Sequence, residues 1–190
     1  VSTEEKYVGF IKKQAPEIPT KNIILEPERR DNLAAIGLAT ALVHKRHPNE
    51  VIFFSWSDHL IKKEKEFLEC VKLAGEYATE TGRPVSVDQE PTYPSVHNGW
   101  LQLGKLQSRL GGRKLYVIEK HIEKPNLQTA RRLFRSSKYL IHTGYGAWRT
   151  DTLLGYFEKY APEAYVRLAT IAEADGTPRY GAILKHEYAR

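Results

Sequence analysis

The residues best able to do chemistry stand at the ends of short apolar runs. Glu26-Pro27 follow "NIIL", Ser57-Asp58-His59 follow "VIFFSW", and Glu123-Lys124-Pro125 follow "LYVIEKHI". Polar groups at the carboxyl ends of strands are where open α/β sheets bind their ligands. A lone carboxylate such as Asp58 suits Mg²⁺, which keeps several waters and takes other ligands from phosphate. Ser57 or Asp58 serves equally well as the cap of a following helix. Glu123 can accept from sugar hydroxyls while the Lys124 ammonium faces a phosphate; an exposed pair on a solvated loop is the plainer alternative. Arg29-Arg30, ahead of a helix, would supplement backbone N–H groups around an anion, or form a solvated charge run. The seven histidines show no metal-ligand spacing, and His44, His47 and His121 read as surface residues. Gly111-Gly112 reads as a hairpin turn rather than a phosphate loop.

These residues need a scaffold, and the periodicity predicts one. Residues 4–14 place Tyr7, Val8, Phe10 and Ile11 at helical spacing, ended by Pro16 and Pro19. "NIILE" reads as a buried strand. A helix follows from Asp31 or Asn32, either of which can cap it, to about His44, with Leu33, Ile36, Leu38, Leu42 and Val43 as its stripe. The continuous run "VIFFSW" predicts a strand covered on both faces. A helix over 63–81 with Gly82 as its stop, and a strand at "PVSVD", continue the alternation. Beyond Pro91 come a loop feeding a strand, the Gly111-Gly112 turn with its second strand, the amphipathic "NLQTARRLFRSS", "YLIHTGYGAWR" as a strand pair or a strand and loop, and a helical tail. The expectation is one α/β domain over residues 1–190, Rossmann-like, with a mixed, mainly parallel sheet and helices on both faces.

Bulk properties narrow the function classes. The net charge of +6 favours anionic partners such as nucleotides, sugar phosphates or nucleic acid, yet the Lys and Arg are scattered. With no basic stripe and no recognisable module, a nucleic-acid-binding protein is the weaker reading. No apolar run has the length of a membrane span, so no membrane partner is expected. Cys70 is the only cysteine, which excludes an internal disulfide and a cysteine-based zinc cluster, and a cytoplasmic setting is the default.

Five stretches in order carry a resemblance. "ILEPERRDNLAAIGLA" is similar to EP-x-GRNTAPAIALA, and "FSWSDHLI" to PADH-x-I. "PTYPSVHNGWLQLG" is similar to PTxPETGYGYIxxG, "VIEKHIEKPNLQTA" to VxxFVEKPDxxTA, and "YLIHTGYGAW" to YLWNSGMFxF. Together they cover roughly residues 20 to 155 and resemble the sugar-nucleotide nucleotidyltransferases, specifically the bacterial mannose-1-phosphate guanylyltransferases. Departures from the pattern are Arg29 for Gly, Asp31 for Asn, Asn32 for Thr and Ala34 for Pro. His97-Asn98 stand where it has Gly-Tyr, and His142-Thr143 where it has Asn-Ser. The family's glycine-rich GGxGTRLWPLSR loop does not occur, and an ID-type carboxylate would fall beyond Arg190. The resemblance therefore implies a domain truncated at both ends.

The resemblance implies attack of a sugar 1-phosphate, mannose 1-phosphate foremost, on the α-phosphate of GTP, giving a GDP-sugar and pyrophosphate. Asp58 would hold Mg²⁺ and Lys124 would bind the sugar phosphate; these are the catalytic pair. Glu123, Asn98, Gly99, Thr143 and Gly144 would surround the sugar, and Glu26, Pro27, Arg30 and Asp31 would line the base pocket. Without the glycine-rich loop an isolated chain is expected to bind GTP poorly. Without the family's first strand it is expected to expose apolar edges that invite a homodimer. A non-catalytic or regulatory nucleotide-sugar-binding relative is the alternative within the same family.

Overall fold

The structure, a computed structural model, describes residues 1–189 and divides the chain into two compact units, Val1–Ile52 with Arg149–Arg190 and Phe53–Trp148. In the first unit, β1 (Ser2–Glu4) pairs in parallel with β2 (Ile24–Glu26). Between them lie a 3-10 turn at Glu5–Tyr7 and α1 (Val8–Gln14). The helix expected from residue 4 thus starts later, because residues 2–4 enter a strand ladder. Its apolar spacing marks no buried face, since Phe10 is 63% exposed.

α2 (Asp31–Arg46) packs with α5 (Thr150–Tyr160), α6 (Pro162–Ala174) and α7 (Tyr180–Tyr188). Leu38, Leu42, Phe157, Leu168, Ile171 and Tyr188 form the heart of this core. Gly37 allows the close approach: a Cβ there would stand 2.7 Å from Leu168 Cδ1 and 2.9 Å from Phe157 Cζ. Two expectations for α2 are corrected. Arg30 occupies the N-cap with no side-chain cap bond, and Asp31 is the first helical residue, at φ +58°. Leu33 faces solvent; five residues before Leu38, it lies about 140° round the helix.

Arg46, at the end of α2, grips Asp175 after α6 through Nε at 2.7 Å and Nη2 at 3.0 Å. The guanidinium holds the Asp175 carboxyl below the usual carboxylate range. A depressed pKa stabilises the fold above the unfolded value and is lost as pH falls through the folded one. Asp175→Asn is therefore expected to lower unfolding free energy by about 1 kcal/mol near neutrality. Denaturant melts should show that difference closing below about pH 4.

In the second unit, α3 (Glu64–Thr81) buries Ala74 and Ala78 and stops at Gly82, φ +68°. β5 (Trp100–Leu110) and β6 (Arg113–Ile122) form a long hairpin whose turn residues, Gly111 and Gly112, both have positive φ. That is the turn whose twist suits paired strands. α4 (Leu127–Phe134) is capped by Asn126, whose Oδ1 accepts from the Thr129 N–H at 2.9 Å. β7 (Tyr139–Ile141) completes a sheet in the order β6-β5-β7. Trp100, Ala130 and Leu133 form its core.

β3 (Val51–Phe54), β4 (Val85–Ser86) and β8 (Gly146–Arg149) form a sheet in the order β3-β8-β4. β3 is an edge strand, so its residues are half-buried rather than covered on both faces. The α/β class is as expected, but the strand directions differ. β1–β2 is parallel, whereas β4–β8, β5–β6 and β5–β7 are antiparallel, the hairpin turn dictating at least one of these pairs.

Candidate sugar phosphate site

Strand register assembles the site in the second unit. β5 runs antiparallel to both neighbours, and its first residue, Trp100, pairs with Ile122 on one side and Ile141 on the other. Gly99 is therefore flanked by the residues that follow Ile122 and Ile141, namely Glu123 and His142. The Gly99 carbonyl accepts from the His142 N–H at 2.9 Å. A Cβ on Gly99 would collide with His121 Nε2 and stand 2.9 Å from Glu123 Oε2. His121 and Glu123 are two residues apart at the end of β6, the strand spacing that shares a face. His121 Nε2 lies 3.5 Å from Glu123 Oε2, and Lys124 Nζ lies 3.6 Å from Glu123 Oε1. Lys124 is exposed and has φ +39°, an unusual conformation for a residue with a side chain. Backbone strain of that kind costs about 1–3 kcal/mol and clusters at functional sites.

Asp88, beyond β4, adds a carboxylate that sequence reasoning missed. Its side chain is only 6% exposed, and Oδ1 lies 3.1 Å from His142 Nδ1. A carboxylate accepts, so Nδ1–H donates and fixes the ring's tautomer. Asp88 also accepts from the Ser86 hydroxyl and from the Thr143 N–H. The Asp88 hydrogen bond raises the His142 pKa above its ordinary value, against the opposing effect of burial; the charges of Asp88 and Glu123 raise it further. The His121 and His142 rings meet edge to face at 5.3 Å.

The other expected sugar residues lie close in sequence to this cluster, with their polar groups turned to the fold. Asn98 Oδ1 accepts from Ser95 Oγ at 2.6 Å, closing the loop that delivers Gly99. The Thr143 hydroxyl donates to the Val87 carbonyl and accepts from the Tyr145 N–H. Gly144, at φ +79°, leaves space for Trp56, whose Nε1 donates to the Thr143 carbonyl at 3.1 Å.

Asp58 occupies an exposed turn after β3. Burial first, and then the Asp58 charge, push the Tyr145 hydroxyl upward in pKa; that hydroxyl also bonds His59 Nδ1 at 2.7 Å. Among the described residues no group of three or more His, Cys, Asp and Glu is arranged to hold a metal. A single accessible carboxylate fits a Mg²⁺ whose remaining ligands are water and phosphate oxygens, and does not fit a cage built from protein alone.

The expected nucleotide residues lie in the first unit. Glu26 ends β2, where Oε1 accepts from Ser2 Oγ at 2.8 Å and Oε2 from the Tyr188 hydroxyl at 2.7 Å. Burial and this carboxylate hold the Tyr188 hydroxyl protonated far above its usual range. Glu26 thereby ties β1 and α7 to β2. With Pro27, Glu4, Lys6 and Leu184 it also lines an open cavity of about 550 Å³. Arg30 Nε donates to Glu28 Oε1 at 2.7 Å, and neither Arg30 nor Asp31 lines that cavity.

The chain belongs to the nucleotidyl transferase family, whose model matches residues 2–174. Among curated proteins it is 33% identical over 144 residues to an Escherichia coli mannose-1-phosphate guanylyltransferase, covering 75% of this chain and 31% of that one. It is 31% identical over 176 residues to mannose-1-phosphate guanylyltransferase RfbM of Salmonella typhimurium, covering 87% and 36%. The chain thus spans about a third of the length of these relatives. Its fold is similar to a crystal structure from Thermus thermophilus described as a mannose-1-phosphate geranyltransferase. That match has a TM-score of 0.81 at 21% identity, over 99% of this chain and 51% of the other.

Proposed function

We propose that the chain takes part in the transfer of GMP from GTP to a hexose 1-phosphate, mannose 1-phosphate foremost, giving a GDP-sugar and pyrophosphate. The observation that carries this reading is the register at the head of β5, which groups Gly99, His121, Glu123, Lys124 and His142. Such a group offers a carboxylate for sugar hydroxyls, an ammonium for phosphate and a side-chain-free backbone beside them. The relatives named as guanylyltransferases support the same substrates.

Transfer between phosphates asks little of protein acids and bases; it needs in-line positioning and neutralisation of charge. In this reading Lys124 holds the sugar phosphate and Glu123 orients the hexose through its hydroxyls. Gly99 and Asn98 shape the sugar's bed, with Thr143 and Gly144 buttressing it from the β7–β8 connection. Glu26, Pro27, Arg30 and Asp31 serve the guanine base. Asp58 would hold Mg²⁺, which when bound supplies charge neutralisation at the reacting phosphates.

The test is incubation with GTP, Mg²⁺ and mannose 1-phosphate, followed for GDP-mannose and pyrophosphate. Formation of both supports the reading. Binding of both sugar phosphate and GTP without turnover favours a non-catalytic, regulatory relative. Absence of both binding and turnover contradicts the assignment.

A further inference from the structure

We propose that Asp88 is a positioning residue for His142, which donates a hydrogen bond to a phosphorylated hexose at the head of β5 and makes its binding depend on pH. The inference rests on the sugar phosphate reading above and deepens it. Where the related pattern has an asparagine, whose amide donates at every pH, this chain has an imidazole. The imidazole's donor capacity at the second nitrogen exists only when the ring is charged. Asp88 occupies Nδ1, so Nε2 is the nitrogen left for a ligand; among the described residues it has no hydrogen-bond partner. The ring is 37% exposed while its carboxylate partner is nearly enclosed. A hydrogen bond to an enclosed carboxylate fixes a ring better than a solvated contact does.

The charged groups around His142 favour its cationic form. Asp88 faces it from beyond β4 and Glu123 from the end of β6, with His121 as the neighbouring ring. Lys124 is paired to the far oxygen of Glu123, which offsets part of that cation's repulsion. A phosphorylated hexose brings negative charge into this group, so binding and protonation of His142 reinforce each other. Because the pKa is raised, the cation is fully present below the ordinary histidine value and is lost as pH rises through the higher folded one.

Isothermal titration with mannose 1-phosphate from pH 5.5 to 8.5 tests this, with nuclear magnetic resonance following the His142 ring. The wild-type affinity is expected to fall with rising pH about tenfold more than that of His142→Asn. The sugar phosphate's own titration is common to both proteins and cancels in the comparison. Asp88→Asn should move the wild-type break to lower pH, in step with the ring's own titration. His142→Asn keeps an amide donor, so it should still bind at pH 8.5, with a nearly flat residual profile. If sugar phosphate binds with the same pH profile in wild type and His142→Asn, the inference is overturned while the functional reading stands. If no sugar phosphate binds wild type at any pH, the functional reading falls and takes the inference with it.

Discussion

Trp100→Ala is expected to lower the unfolding free energy by about 3–5 kcal/mol, more than any other single truncation around the head of β5. Trp100 is fully buried against Ala130 and Leu133, with Ile122, Tyr139 and Ile141 packed around it. Truncation removes a large apolar surface and leaves a cavity between a strand and α4. It also removes the Nε1–H that donates to the Ser95 carbonyl at 2.9 Å. Ser95 in turn holds Asn98, so the loop ahead of Gly99 loses its anchor. Trp100→Phe separates the two contributions, since it retains most of the packing and leaves the Ser95 carbonyl unpaired. Its loss should be about 1–3 kcal/mol. Urea melts of both variants, with the Gly99 amide resonance as a local probe, check the expectation.

Lys124→Gly is expected to dissociate stability from binding. At φ +39° a residue with a Cβ is strained, and glycine relieves that strain. Glycine also adds freedom to the unfolded chain, so the net change in stability should lie within about 1 kcal/mol. The ammonium is gone, and with it the proposed charge-assisted contact to phosphate, worth about 1.5–3 kcal/mol. Affinity for mannose 1-phosphate should fall roughly 10- to 100-fold. Lys124→Arg keeps the charge and the strain, and should retain most of the binding. Denaturation curves and calorimetric titrations on the same samples measure both halves. A large stability loss in Lys124→Gly would show that the lysine side chain holds the fold rather than the ligand.

Local chemistry makes much of this legible. Two adjacent glycines between apolar runs specify the β5–β6 hairpin, and Gly82 ends α3 where a left-handed residue is needed. The polar residues after β3 and β6 stand out because packing alone does not demand them, whereas Glu26 at the end of β2 is used by the fold. What the sequence hides is long-range. His142 and Asp88 meet across 54 residues, and only the register after β4 and β7 brings them together. The period-2 pairing of Ser86 with Asp88 in "SVD" is a usable signal, as is that of His121 with Glu123. β1 is silent because three residues carry too little periodicity, and Leu33 misleads because a single apolar residue on α2 does not declare its face. The expected nucleotide residues are read from charges whose partners lie elsewhere: Glu26 meets Tyr188 162 residues away. The edge position of β3 likewise follows from pairing, which no run of apolar residues reveals.

The most direct measurement is an amide and side-chain chemical-shift map of the chain titrated with mannose 1-phosphate. Saturable shifts are expected to concentrate at Gly99, His121, Glu123, Lys124 and His142, and to weaken in Lys124→Gly. Shifts scattered over the surface, or gathered on residues remote from the head of β5, would contradict it.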